Sequence, residues 1–154
     1  MKLLVAIFAA TAISTAASAA DDELYYGSRA GMTVTVVSKE GIGTSRAVVH
    51  VEHRPANAKQ FCTQYLNDNS MACVRRTMAE VQVGDRLWGN CDEGTWTSLG
   101  GGRFVLLGAE EDPNSMADYR VRNIETGELL DGSSASGYHV ALSSFQVLCP
   151  GVAD

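Results

Sequence analysis

Residues 86–108, RLWGNCDEGTWTSLGGGRFVLLG, break into three short strand-like runs, Arg86–Cys91, Thr95–Leu99 and Arg103–Gly108. Only Asp92-Glu93-Gly94 and Gly100-Gly101-Gly102 separate them. Links this short leave room for antiparallel hairpins and not for crossovers, and glycine provides the backbone freedom that tight turns need. A chain carrying this meander is expected to build an antiparallel sheet around it. Both tryptophans and one of the four cysteines lie inside the stretch.

The same rhythm continues to the end of the chain. Turn-forming clusters recur every eight to twelve residues, with strand-like runs between them at Asp118–Ile124 and Tyr138–Leu142. Spacing of this kind predicts a small antiparallel β-barrel or sheet. SSFQVLCP is expected to add a short turn of helix and a last strand. The run GYHVALSSFQVL resembles the closing stretch of SH3-like barrels, which implies an SH3-like closure.

Upstream, Met32–Val37 and Arg46–His53 alternate apolar and polar residues and predict an N-terminal β-hairpin. The preceding segment, from Asp21 to Gly31, is polar and is expected to be poorly ordered at its start. Between the hairpin and the meander the period changes. Ala58, Phe61, Cys62, Tyr65 and Leu66 recur at the spacing of one helix face. Asn57 would be the N-cap of a capping box with Gln60. Asn67–Ser70 ends this helix and caps a second, from Met71 to about Ala79. The fold class expected is α+β.

The first nineteen residues read differently from the rest. Lys2, the uncharged run Leu3–Ile13 and the Ala17-Ser18-Ala19 site have the pattern of a secretory signal peptide. Cleavage after Ala19 would leave residues 20–154 as one exported, periplasmic or secreted domain, without a membrane anchor. An oxidising destination makes disulfides the expected state of Cys62, Cys73, Cys91 and Cys149. Four cysteines allow three connectivities. Spacing favours Cys62 with Cys73 as a staple of the helical pair, and Cys91 with Cys149 as a long tie to the final segment. With no Cys-x-x-Cys, a thioredoxin-like redox role has no support.

Charge narrows the partners. Lys and Arg number 12 against 18 Asp and Glu, a net charge of −6; loss of Lys2 makes it one unit more negative. That balance argues against nucleic acid and anionic membrane surfaces and is compatible with a cationic protein partner. It also simply keeps an exported protein soluble.

Candidate chemistry is thin. His50 and His53 are three apart on a strand and point to opposite faces, so they do not converge on a metal; Glu52 shares the His50 face. Gly132–Gly137 is rich in Ser and Gly but holds no G-x-S-x-G, and His139 follows it. Glu110-Glu111-Asp112 and Asp92-Glu93 are turn carboxylates of the sort that face solvent. Gly100-Gly101-Gly102 lacks the lysine and helix of a phosphate loop. No cofactor or metal is implied.

The tryptophans are the better lead. If Cys91 pairs with Thr95, Trp88 and Trp96 are diagonal neighbours on one face, with Leu87, Cys91 and Leu99 on the other. Either the indoles lie outside as an aromatic platform, or they fill the core. The expected function is a non-enzymatic binding or protein-interaction module with Trp88, Trp96 and Tyr138 as contact residues. An inhibitor of a cationic secreted enzyme is one concrete form. Ser136-Gly137-Tyr138 resembles the SG-x-x-Y loop of bacterial lysozyme inhibitors, though its spacing departs from that pattern, and no inhibitory residue is carried across. The alternatives are a small hydrolase using turn carboxylates or the Ser/His139 loop, and a secreted effector.

Overall fold

The computed structural model describes residues 22–153; the signal-peptide reading lies outside them. Seven strands form one curled antiparallel sheet, a half-barrel, in chain order. They are β1 (Glu23–Tyr25), β2 (Thr33–Glu40), β3 (Ala47–Glu52), β4 (Arg86–Asn90), β5 (Thr95–Thr97), β6 (Arg103–Ala109) and β7 (Tyr119–Asn123). Helices α1 (Pro55–Gln64) and α2 (Met71–Glu80) intervene between β3 and β4, and α3 (Tyr138–Leu148) follows the sheet. The expected small α+β sheet is present, as are the N-terminal hairpin and the stapled helical pair.

The final segment departs from expectation. Tyr138–Leu142 is not a strand; it opens α3, so the stretch that resembles an SH3-like closure forms a helix. The cause is visible in its period. Tyr138, Ala141, Leu142, Phe145 and Leu148 recur at helical spacing and are all buried. Gly137 adopts φ 74°, a left-handed geometry suited to glycine, and turns the chain from the Ser134–Ser136 3-10 turn into α3. α3 packs into the curl of the sheet. Its buried face shares one core with Leu24, Val34, Val49, Leu87, Trp96, Phe104 and Val121.

The segment expected to be poorly ordered supplies β1, which pairs Leu24 with Val34. The α1 boundary also shifts. Arg54 is the N-cap and Pro55 the first helical residue, a position where the missing N–H costs nothing. Asn57 sits at the third position, where its Oδ1 accepts from Arg54 N–H at 2.8 Å. The rest of Asn57 is buried against β2. Its Oδ1 accepts from the Thr35 hydroxyl at 3.1 Å and its amide donates to Thr33 Oγ1 at 3.3 Å. Gln60 extends this polar seam, accepting from Thr33 at 2.8 Å and donating to Glu23 at 3.0 Å. Polar contacts thus dock α1 on the outer side of β1 and β2, where β2 turns Thr33 and Thr35 outward and Val34 inward.

Both expected disulfides form. Cys62–Cys73 joins α1 to α2, with Cα atoms 6.1 Å apart, inside a small separate core with Ala58 and Val74. Cys91–Cys149 ties the end of β4 to the end of α3, with Cα atoms 5.5 Å apart.

Candidate binding face

The β4–β5 register decides what the meander presents to solvent. Asn90 pairs with Thr95 and Gly89 with Trp96, one residue away from the register that pairs Cys91 with Thr95. The turn is therefore Cys91–Gly94. Asn90 Oδ1 accepts from Asp92 N–H at 3.1 Å and from Glu93 N–H at 3.2 Å, an Asx turn that starts the loop one position early. A one-residue slip exchanges the faces of a strand. Trp88 and Trp96 are consequently on opposite sides of the sheet.

Trp96 is fully buried at 0 % exposure. Its ring lies 4.6 Å from Phe145 and 5.8 Å from Phe104, and its indole N–H donates to Ala141 O at 2.8 Å. Gly89 opposite it leaves room for Leu148, whose Cδ1 would stand 3.1 Å from a Cβ at that site. Tyr138 is also at 0 % exposure. Its hydroxyl accepts from Asp118 N–H at 3.0 Å and Tyr119 N–H at 2.8 Å, and burial is the leading cause that pushes its pKa up. These two residues join α3 to the sheet and are not surface contacts.

Trp88 remains outside at 41 % exposure. It stands opposite Val48 on β3, and its backbone N–H donates to Thr97 Oγ1 at 3.1 Å across to β5. The Arg103 guanidinium lies 5.6 Å from the ring centroid, a cation–π contact that holds the indole in place. A hollow of about 360 Å³ beside the ring is lined by Asp85, Arg86, Thr97, Arg103 and Glu125. Arg86 Nε is 4.0 Å from Asp85.

Strand alternation extends this face. Leu87, Phe104 and Val121 point into the core, so Arg86, Arg103, Arg120 and Arg122 point out, together with Trp88, Thr95, Thr97 and Val105. α1 docks on β1 and β2 and α2 packs on α1, so among the described residues neither helix lies over β4–β7. The arginines are not among the contact residues expected from the sequence, yet each sits at the opposite parity from a large apolar residue in RLW, GRFV and YRVRN. That parity was the available signal.

Elsewhere the candidate groups do not gather. His50 and His53 diverge as expected: His50 lies outward, 3.8 Å from Glu40, whereas Glu52 pairs with Arg54 at 2.9 Å. His53 turns inward, its Nε2 buried with no hydrogen-bond partner among the described residues and its pKa lowered by desolvation. Glu110 Oε1 accepts from Glu111 and Asp112 N–H groups within its own turn. Ser133 and Ser136 cap the 3-10 turn, and hydrogen bonds from Ser133 hold the Asp131 carboxyl below its ordinary pKa. A cleft of about 480 Å³ near the β1 edge is lined by Tyr25, Asp118, Ser134, His139 and Ser143. Among the described residues no hydrogen bond joins His139 to Asp118 or to either serine, and no group of three metal-ligating side chains occurs. No helix there is long and apolar enough to cross a membrane, and the two disulfides suggest an oxidising, exported environment. No protein-family model matches the chain, and no curated protein or solved structure is significantly similar to it.

Proposed function

We propose that the chain is an exported binding module that engages a macromolecular partner through the outer face of β4–β7, with Trp88 as the central contact. The half-exposed indole on a strand face that no other element among the described residues covers carries this reading. Tryptophan and arginine dominate the energetics of protein interfaces because they bring large, rigid area and several donors together. The curl of the sheet is filled by α3, so the interior is not free to hold a ligand. The outer face is convex, so a complementary concavity has to come from the partner. An inhibitor of a secreted enzyme is one form such a module would take.

Affinity capture from envelope and secreted extracts tests the reading. A partner held by the wild type and lost by Trp88→Ala, with an unchanged far-ultraviolet circular dichroism spectrum, supports it. Equal capture by both proteins overturns it.

A second reading rests on the cleft near the β1 edge. His139 and Ser143 lie one helical turn apart on α3, facing Asp118 and Ser134 across the cleft, and would serve a small hydrolase. Its test is ester and glycoside hydrolysis by the wild type and by His139→Ala; activity in the first and not in the second would favour it.

A further inference from the structure

We infer that the Trp88 face recognises an acidic protein surface. This rests on the reading of that face as the binding surface and names the chemistry of what it binds. Although the whole chain carries a net charge of −6, every charged side chain at an outward position of β4, β5, β6 and β7 is an arginine. The carboxylates stand in the flanking turns, Asp85 before β4, Asp92 and Glu93 after it, and Glu125 and Glu128 beyond β7. The face is a basic field bordered by carboxylates, two of which, Asp85 and Glu125, also line the hollow beside Trp88. Local charge, and not the net charge, decides what can be desolvated against it.

The arrangement suits carboxylates presented on another chain. Val105 faces Arg122, so Arg103 and Arg122 are diagonal neighbours, which on adjacent strands means roughly 7–8 Å between their backbones. Arg120 and Arg122 are two residues apart on one strand, about 7 Å. Among the described residues no carboxylate lies within 4.0 Å of Arg103, Arg120 or Arg122, so the three forks have no ion pair to give up. Arginine's planar fork donates two N–H groups to one carboxylate, and no lysine shares the face. Trp88 supplies apolar area on the β4 side of the field, and the bordering carboxylates repel any partner whose charge extends past the arginines.

The test uses the full disulfide-bonded chain and poly-L-glutamate as the probe, titrated by calorimetry at low ionic strength. Polygalacturonate and heparin are run in parallel as polyanions that are not polypeptides. Saturable binding to polyglutamate that weakens as salt rises is expected. Arg103→Ala and Arg122→Ala should each weaken it about two- to fivefold, and Arg103→Lys, which keeps the charge and loses the fork, should fall between Arg103→Ala and wild type. Arg75→Ala on α2 should change nothing.

Absence of polyglutamate binding, indifference to the arginine variants, or tighter binding to either polysaccharide would overturn the inference. Self-association lost in Arg103→Glu would overturn it too, in favour of a second copy of the chain. Capture from extracts separates the two levels. If Trp88→Ala loses the partner and the arginine variants keep it, the face stands and the acidic partner falls. If Trp88→Ala keeps the partner, the face itself falls.

Discussion

Alanine at Trp88 and alanine at Trp96 should have very different consequences, although the two residues lie eight apart in one hairpin. Trp96 is wholly enclosed by α3 and β6 and holds Ala141 O through its indole N–H. Truncation removes that contact and leaves a cavity that close-packed neighbours fill only in part, a loss of about 3–5 kcal/mol. Trp88 loses only a partly covered ring on an open strand face, a cross-strand contribution of about 1 kcal/mol or less. With a urea m-value of about 1.5 kcal/mol/M, the midpoint falls by about 2–3 M for Trp96→Ala and by under about 0.7 M for Trp88→Ala. Far-ultraviolet circular dichroism is the assay, because removing an indole alters fluorescence by itself. Should Trp96→Ala fail to fold, Trp96→Phe and Trp88→Phe must still rank in the same order. Equal midpoint shifts, or a larger one at Trp88, would refute the register that puts one indole inside and the other outside.

Three further outcomes follow from other parts of the molecule. Chain-entropy reasoning gives about 3 kcal/mol for the 11-residue separation of Cys62–Cys73 and about 4 kcal/mol for the 58-residue separation of Cys91–Cys149. Cys62→Ser/Cys73→Ser should raise hydrogen exchange in α1 and α2 and spare the sheet, whereas Cys91→Ser/Cys149→Ser should lower the global unfolding midpoint. Gly31 and Gly43 both have positive φ, 74° and 79°, but a Cβ at Gly31 would stand 2.6 Å from Phe61 N while one at Gly43 meets nothing within 4 Å. Gly43→Ala should therefore cost about 1 kcal/mol of backbone strain, and Gly31→Ala distinctly more, measured by urea unfolding.

The third outcome concerns pH. Burial lowers the His53 pKa below its ordinary 6.5, so the unfolded chain takes up that proton first as pH falls. The contribution is complete above pH 6.5 and is lost as pH drops toward the folded value. Unfolding midpoints of the wild type should fall more steeply between pH 7 and 5 than those of His53→Leu, and parallel curves would contradict the assignment.

Local chemistry made several elements legible. Alternation marked β2 and β3, helical spacing marked α1, and the cysteine separations indicated both bridges. What failed did so for identifiable reasons. At the β4–β5 turn, Asn90 competes with Asp92 and Gly94 as the turn-forming residue, and its side-chain hydrogen bonds settle the register one step earlier. That single step moved Trp96 from candidate contact to core. In GYHVALSSFQVL, β-branched and aromatic residues suggest a strand over five residues, but the apolar positions keep helical phase over eleven. Tertiary demand decides the matter, since the curl of the sheet needs a filler and α3 presents Tyr138, Phe145 and Leu148 to it. At Tyr138 the sequence showed an aromatic beside a glycine-rich loop, with no hint that two backbone amides would claim its hydroxyl.

The proposed binding face is tested most directly by following both indole N–H signals in a proton–nitrogen correlation spectrum during a poly-L-glutamate titration. Trp96, buried and bonded to Ala141 O, serves as an internal reference. The prediction is that the Trp88 indole shifts together with the amides of Arg86, Arg103 and Arg122, while Trp96, α1 and α2 stay in place. Shifts that spare Trp88, or that gather around Asp118 and His139, would contradict it.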